Sequence, residues 1–274
     1  MEIGVISELG KEGRCFEYVR QFGLNVCQLA GWDISLAQGN VADNVIKTAD
    51  RAGVRICGFW AGWPGPAEWN FKTGPTTLGL MPKRYRQKRV KVLKKWADFA
   101  QQVGSPSIIT HCGFIPENIT DPNYQQVVDA IKEVSEYCKR KKLEFWFETG
   151  QETPVVLLRT IERIGTDNLG INLDPANLLM YGKGNPIDAL SVFGKYVRNI
   201  HIKDGLCPTD GENLGREVPV GSGMVRYPEF ISKLKEIGFN KELIIEREIE
   251  GEQQIKDIQK TIKDLKKWLQ KGER

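Results

Sequence analysis

Four short apolar runs in the second half of the chain each end in a residue type that binds metal ions. They end at Glu148, Asp174, His201 and Glu246. Three carboxylates held close together repel one another unless a cation lies between them. One imidazole with three carboxylates suits a divalent ion, with Mn²⁺ preferred and Mg²⁺, Co²⁺ or Zn²⁺ as alternatives. The residue types therefore predict one divalent metal ion per chain.

The position of these residues has two explanations. Polar residues often end buried strands because the chain leaves the core there, and for any single residue this explanation is as good as metal binding. Four successive runs that end in one set of ligand types favour the metal site instead. The first two intervals, from 148 to 174 and from 174 to 201, are each about one β/α unit long. In a parallel barrel that spacing brings the strand ends to one rim, where active sites lie.

Short β-rich runs alternate with stretches of helical periodicity along the whole chain. The runs are predicted as strands over 2–6, 25–30, 54–60, 107–111, 143–148, 170–174, 197–203 and 243–249. The stretches between them are predicted as helices over 11–22, 41–52, 85–103, 123–141, 153–164, 186–193, 228–237 and 254–270. Asp121-Pro122 and Asn185-Pro186 are typical helix starts.

Eight such alternations predict an all-parallel sheet in an α/β fold, most economically a single (β/α)8 TIM barrel. The 274 residues suit one such barrel, which needs about 250. A doubly wound open sheet is the alternative, although no GxGxxG motif follows the first run. No linker-like segment interrupts the chain, so residues 1–274 are expected to form one domain.

The composition argues against several other classes of protein. The net charge is only +4, and the lysines of the last predicted helix alternate with an apolar stripe, as on a solvated outer face. No segment approaches the roughly 18 apolar residues that a membrane span requires, and no signal-peptide pattern is present. Six cysteines without a CxxC pair indicate reduced thiols. We therefore expect a cytoplasmic protein without nucleic-acid or membrane partners, and homo-oligomerisation stays open.

Two connections are longer than a loop between strand and helix requires, and both follow strand ends on the predicted active-site rim. They cover residues 60–84 and 204–227. Long loops in compact domains are often functional. The first is predicted to be a partial lid on which Trp60 stacks against a sugar ring, whereas Trp69 is not expected to contact the sugar. The alternative is a loop packed permanently on the barrel with its tryptophans buried.

Four short motifs around the predicted ligands resemble those of a known superfamily. They are FETGQETP, LDPAN, HIKDG and REVPVGSG, in this order and spacing. The chain resembles the sugar phosphate isomerase/epimerase superfamily of xylose-isomerase-like barrels, and within it the ketose 3-epimerases. The resemblance implies that Glu148, Asp174, His201 and Glu246 bind one metal ion.

The resemblance also implies an activity: isomerisation or epimerisation of a carbohydrate by proton transfer through an enediolate that the metal ion stabilises. Glu148 and Glu246 would be the acid/base pair as well as ligands, and Asp174 and His201 would only be ligands. The substrate would be a small carbohydrate.

Six residues are candidates for substrate contacts. Arg216 matches a superfamily arginine, and Asn177 stands where the superfamily often has histidine, so the identity of the sugar stays open. Glu152 is a further candidate, and the alternative is that it is only a carboxylate near a helix start, stabilised by the helix dipole. Lys203 shares a strand face with His201 and would contact substrate or pair with a ligand carboxylate. His111 and Trp60 follow strand ends and would line the pocket.

Three other functions compete with this one. A metal-dependent lyase or hydrolase of 3-keto-glycosides would use the same fold and metal. An apurinic endonuclease would need many histidines, and the chain has two. A non-catalytic barrel would have no reason to hold three carboxylates together.

Overall fold

The computed structural model describes residues 1–10 and 15–270 and contains a closed barrel of eight parallel strands. The strands are β1 (Glu2–Glu8), β2 (Val26–Gly31), β3 (Arg55–Ala61), β4 (Ser107–Thr110), β5 (Glu144–Glu148), β6 (Leu169–Leu173), β7 (Val197–Ile202) and β8 (Glu242–Ile245). Each strand pairs with its neighbours in sequence, and β1 closes the ring by pairing with β8. The predicted TIM barrel is confirmed, and the open doubly wound sheet is wrong.

Helices cover the outside of the barrel, and each long predicted helix is present within a few residues of its expected bounds. The α-helices of the described residues are α1 (Phe16–Arg20), α2 (Val41–Ala52), α3 (Gly74–Thr77), α4 (Lys83–Gln102), α5 (Pro122–Arg140), α6 (Pro154–Ile164), α7 (Pro175–Met180), α8 (Pro186–Phe193), α9 (Tyr227–Glu236) and α10 (Glu252–Gln270). Both predicted helix starts are confirmed, because the Asp121 and Asn185 side chains accept hydrogen bonds from first-turn backbone N–H groups. None of the helices in the described part of the chain is long and apolar enough to cross a membrane.

The strands are buried on both faces, since their side chains point either into the barrel or beneath the helices. Every residue of β2 and of β6 is buried, for example. This explains why the runs read as nearly continuous apolar sequence and not as an alternating pattern.

The structure departs from the sequence-based prediction in four places. The last strand ends at Ile245 and not at 249, because the Glu248 N–H leaves the barrel ladder to donate to the Glu217 carboxylate. The short helices α3 and α7 were not predicted, nor was a two-stranded antiparallel sheet that pairs Asp204–Gly205 with Glu217–Val218. Residues 11–14 of the predicted helix 11–22 lie outside the described residues.

A buried arginine holds the loop between β3 and α4, which was predicted to be a lid. Arg89 of α4 is fully buried, and its guanidinium lies 5.4 Å from the centre of the Trp63 ring. It donates to four loop carbonyls, those of Pro64, Pro66, Thr77 and Gly79. Trp60 and Trp63 are both buried. These contacts favour a loop packed permanently on the barrel over a lid.

A buried aspartate holds the second long loop, which follows β7. Asp204 is 1% exposed, and its carboxylate accepts hydrogen bonds from the backbone N–H groups of Gly205, Gly221, Gly223 and Val225. A Cβ atom at Gly223 would lie within 2.1 Å of the Asp204 carboxylate, so only glycine allows this approach. These four N–H groups therefore stabilise the charge of Asp204, and Asp204 in turn holds the loop in place.

We predict that Arg89→Met lowers the free energy of unfolding by at least about 3 kcal/mol, because each buried carbonyl left without a donor costs about 1–3 kcal/mol. Urea unfolding measures the change. Arg84→Met on the exposed side of the same helix is the matched control and should change the stability by less than about 0.5 kcal/mol. Equal effects of the two substitutions would show that Arg89 does not hold the loop.

Candidate metal centre

The four predicted ligands converge at the C-terminal end of the barrel. Glu148 ends β5, His201 lies near the end of β7, and Asp174 and Glu246 directly follow β6 and β8. Each offers one ligand atom, and these atoms all lie within 4.8 Å of one another. Because adjacent parallel strands end at one rim, four positions far apart in sequence become one cluster.

Two of the atoms that face the centre of the cluster have no hydrogen bond in the described part of the chain. His201 Nδ1 lies 3.2 Å from carboxylate oxygens of Glu148 and Glu246 and 3.7 Å from Asp174 Oδ2. Within the described residues, neither His201 Nδ1 nor Asp174 Oδ2 has a hydrogen-bond partner of good geometry. Buried polar atoms seldom lack a partner. The donor set and these two atoms fit a divalent cation, which would be held by Glu148, Asp174, His201 and Glu246.

The start of α7 aims the Asp174 carboxylate. Asp174 is the N-cap of this helix, and its Oδ1 accepts a hydrogen bond from the Asn177 backbone N–H at 2.9 Å. Pro175 occupies the first helical position, where no N–H donor is needed. One carboxylate oxygen is thus used by the helix, and Oδ2 is left to face the cluster.

Burial and the nearby charges shift the pKa values of the four residues in the cluster. Burial alone would raise the pKa of Glu246, yet the nearby Lys203 and His201 cations hold it below its usual range. Burial likewise opposes ionisation of Glu148, and His111 and His201 outweigh it, so that the pKa of Glu148 is lowered. Burial raises the pKa of Asp174. Although burial disfavours its cationic form, the surrounding carboxylates raise the pKa of His201 well above its usual value.

A cavity of about 750 Å³ opens onto the cluster, and Glu148 and Glu246 line it, whereas Asp174 and His201 are fully buried. Of the six residues predicted to contact substrate, Trp60, His111 and Asn177 also line this cavity. Glu152, Lys203 and Arg216 are not among its lining residues within the described chain.

Trp60 contacts the cluster through its indole N–H. Its Nε1 donates a hydrogen bond to Glu148 Oε2, and the ring is 6% exposed. The indole faces that are open to the cavity belong to Trp32 and Trp69, which are 45% and 40% exposed. The Trp69 ring lies 5.1 Å from that of His111. Trp69, which was not expected to contact the sugar, therefore lines the cavity, because the fixed loop presents it there.

The ammonium group of the buried Lys203 side chain lies close to three carboxylates. Its Nζ lies 2.7 Å from Glu248, 3.2 Å from Glu246 and 3.7 Å from Asp174. Burial disfavours the ammonium form, but these carboxylates raise the pKa of Lys203 well above its usual value. Of the two roles predicted for Lys203, the structure shows pairing with the ligand carboxylates.

Glu152 and its neighbour Gln151 are buried beside the cavity. Neither amide atom of Gln151 nor Oε2 of Glu152 has a hydrogen-bond partner among the described residues. Burial raises the pKa of Glu152 to about 8, so that the carboxyl group is largely uncharged near neutral pH. Glu152 does lie directly before Thr153, the N-cap of α6, as the alternative explanation expects, but it is buried there.

Arg216 is exposed on the loop that follows β7, where its backbone carbonyl accepts a hydrogen bond from the Leu206 N–H. The same loop contributes Leu214 to the cavity lining. Tyr181, which was not predicted to be a site residue, also lines the cavity. It lies four residues after Asn177, and since residues four apart share a helix face, that spacing could have revealed it.

We predict that Glu152→Gln removes a pH-dependent loss of stability. The unfolded carboxyl ionises near pH 4.5, whereas the folded one ionises only near 8. Between these values the folded state binds more protons, so the stability of the wild type falls as pH rises. From pH 5 to pH 8, Glu152→Gln should gain about 3 kcal/mol relative to the wild type in urea unfolding. A constant difference between the two proteins would contradict a buried uncharged Glu152.

Comparison with known proteins agrees with this architecture. A family model described as xylose isomerase-like TIM barrel matches residues 16–271. MJ1311, an uncharacterized protein of Methanocaldococcus jannaschii, is 28% identical over 204 residues. That match covers 69% of this chain but 65% of the relative, so the chain spans less than two thirds of the relative's length.

Solved structures are similar along the whole chain. A xylose isomerase domain protein from Planctomyces limnophilus is 34% identical, with a TM-score of 0.93, and the match covers 98% of each chain. A D-tagatose 3-epimerase-like protein is 20% identical, with a TM-score of 0.73, over 98% of this chain and 97% of that chain. The second likeness concerns the fold alone. With a family model and a solved relative that both span nearly the full length, the chain belongs to the family of xylose isomerase-like TIM barrels.

Proposed function

We propose that this protein is a divalent-metal-dependent sugar isomerase or epimerase that acts at the cluster of Glu148, Asp174, His201 and Glu246. The observation that carries the proposal is the pair of buried ligand atoms without hydrogen bonds, on His201 and Asp174, at the base of a cavity. The D-tagatose 3-epimerase-like neighbour is consistent with this chemistry. Mn²⁺ is the preferred ion for a site of three carboxylates and one imidazole, with Mg²⁺, Co²⁺ and Zn²⁺ as alternatives.

In this proposal the two glutamates transfer protons on different sides of a substrate. Around the ring of eight strands, β6 and β7 separate β5 from β8, so Glu148 and Glu246 enter the cavity from well-separated walls. A bound divalent ion would supply Lewis acidity toward the sugar oxygens. Glu148 and Glu246 then remove a carbon-bound proton and return one, each as general base or general acid.

Each glutamate has its own partners. Trp60 donates to Glu148, and His111 Nε2 lies 3.5 Å from the other oxygen of that carboxylate. Lys203 donates to Glu246 at 3.2 Å. These donors favour the ionised carboxylates, which is the form that can accept a proton.

The walls of the cavity suit a carbohydrate. The exposed indoles of Trp32 and Trp69 offer apolar faces to the C–H groups of a sugar. Asn177 lies on the same lining and can exchange hydrogen bonds with hydroxyl groups. Glu152 and Gln151 are buried with polar atoms that are unpartnered among the described residues but do not line the cavity, so we assign them no direct contact with the sugar.

A 3-keto-glycoside lyase or hydrolase is the second candidate function. The cavity is large, and its lining continues past Glu246 to Glu250, Gln254 and Tyr18. That extension leaves room for the substituent of a glycoside beyond the metal-binding cluster. Incubation with a free ketose and with a 3-keto-glycoside separates the two functions, because only the second substrate would release its substituent.

We predict that Mn²⁺ raises the melting temperature of the wild type after treatment with a chelator, because an ion that binds only the folded state stabilises it. Asp174→Ala should lose this shift. Asp167→Ala, which removes an exposed aspartate near the other end of β6, is the control and should keep it. A shift that persists in Asp174→Ala, or that is missing in the wild type, would exclude the proposed centre.

We predict that the wild type catalyses Mn²⁺-dependent exchange of deuterium from D₂O into a ketose, at a carbon next to the carbonyl group. A panel of free and phosphorylated ketoses and inososes, followed by NMR, measures the exchange. Glu246→Gln keeps a ligating oxygen but cannot accept a proton, so the rate should fall by about two to four orders of magnitude.

The control for this experiment is Glu252→Gln on the exposed first turn of α10, which should exchange at the wild-type rate. Exchange that survives in Glu246→Gln at the wild-type rate would remove Glu246 from the mechanism. A wild type that binds Mn²⁺ but exchanges none of the panel while it cleaves a 3-keto-glycoside would favour the second candidate function.

A further inference from the structure

A row of buried amides lies directly behind His201, on the side away from the proposed metal ion. It consists of Gln28, Asn172 and Asn199, and all three side chains are fully buried, as is His201 itself. Burying three amides in a barrel interior is costly unless their hydrogen bonds are made. A histidine that binds a metal ion is neutral, and the pattern of these bonds then bears on which nitrogen of His201 carries the hydrogen.

We propose that Gln28 is the positioning residue of His201: its carbonyl oxygen holds the ring hydrogen on Nε2 and so presents the Nδ1 lone pair to the cation. The inference rests on the metal site proposed above. Gln28 belongs to β2 and reaches His201 across the barrel interior, where its Oε1 lies 2.8 Å from His201 Nε2. A neutral imidazole with hydrogen on Nε2 has its lone pair on Nδ1.

The neighbouring amides fix the orientation of the Gln28 side chain. Gln28 Nε2 donates to Asn172 Oδ1 at 3.3 Å, and Asn199 Nδ2 donates to the same oxygen at 2.7 Å. If the Gln28 amide were rotated by half a turn, its oxygen would face the Asn172 oxygen. With Asn172 and Asn199 oriented as they are in the structure, the carbonyl of Gln28, and not its NH₂ group, faces His201.

Asn172 competes with Gln28 for the same ring atom. Its Nδ2 lies 3.1 Å from His201 Nε2 and could donate only to a nitrogen without hydrogen. That arrangement would move the hydrogen to Nδ1, which is the atom that faces Glu148, Asp174 and Glu246. Without Gln28, Asn172 should donate to His201 Nε2, and the ring hydrogen should then lie on Nδ1, where the cation binds.

The test compares Mn²⁺ affinity in three variants by isothermal titration calorimetry. Gln28→Met removes the acceptor at similar volume and should raise the Kd by about 10–100-fold. Gln28→Glu keeps an acceptor oxygen for Nε2–H and should stay within about threefold of the wild type. Asn168→Leu removes a buried amide that bonds to Ser135 and Leu143 instead, so it should lower stability without changing the Kd.

A second measurement does not depend on any substitution at Gln28. The chain has two histidines, so ¹⁵N-histidine NMR of the Mg²⁺-loaded wild type yields two imidazole patterns, and His111→Gln identifies that of His201. We expect hydrogen on Nε2 of His201. Hydrogen on Nδ1 in that sample would overturn the proposal.

The outcomes separate this inference from the proposed function. Gln28→Met with the wild-type Kd would overturn the role of Gln28 and leave the metal site standing. A purely structural role for Gln28 predicts that Gln28→Glu, which buries a charge, binds Mn²⁺ no better than Gln28→Met, and that result would also overturn it. A wild type that binds neither Mn²⁺ nor Mg²⁺ would remove the metal site together with this inference.

Discussion

The repulsion between three buried carboxylates is the constraint on which the rest of the site depends. Glu148, Asp174 and Glu246 place ligand oxygens within 4.8 Å of one another, next to His201. Charges this close in a poorly solvated interior oppose folding strongly. Lys203 and the raised pKa of His201 offset part of that repulsion. The carboxylates stay together only if the strands that carry them are held rigidly, and the closed barrel holds them.

The two long loops over the site show the same reliance on buried charge. Arg89 donates to carbonyls of one loop, and Asp204 accepts from N–H groups of the other, and neither charge has an oppositely charged partner in these bonds. Backbone groups that a strand or helix would otherwise satisfy are thus satisfied by one side chain per loop. Because the loops are held this way, the cavity walls are formed before any ligand arrives, which reduces the entropy lost on binding.

The tryptophans near the cavity differ in their exposure and in their contacts. The buried indole of Trp60 donates its N–H to Glu148. Trp32 directly follows β2 and Trp69 lies in the loop that Arg89 holds, and both are exposed at the cavity. Tryptophans that lie close together in space therefore differ in their contacts, since Trp60 orients a carboxylate whereas Trp32 and Trp69 are exposed at the cavity.

The sequence by itself determined the barrel and the convergence of the four candidate ligands, because both depend on patterns that are local or regularly spaced. Continuous apolar runs predict strands buried on both faces, and ligand types at successive strand ends predict a shared rim. The sequence could not determine which side chains meet across the barrel. Gln28 and His201 touch although 173 positions separate them, and Lys203 turns toward carboxylates and not toward the cavity. Those contacts depend on the register and closure of the strands, which place side chains from distant positions at hydrogen-bonding distance. Only the tertiary structure decided them, together with the exposure of Arg216 and of Trp69.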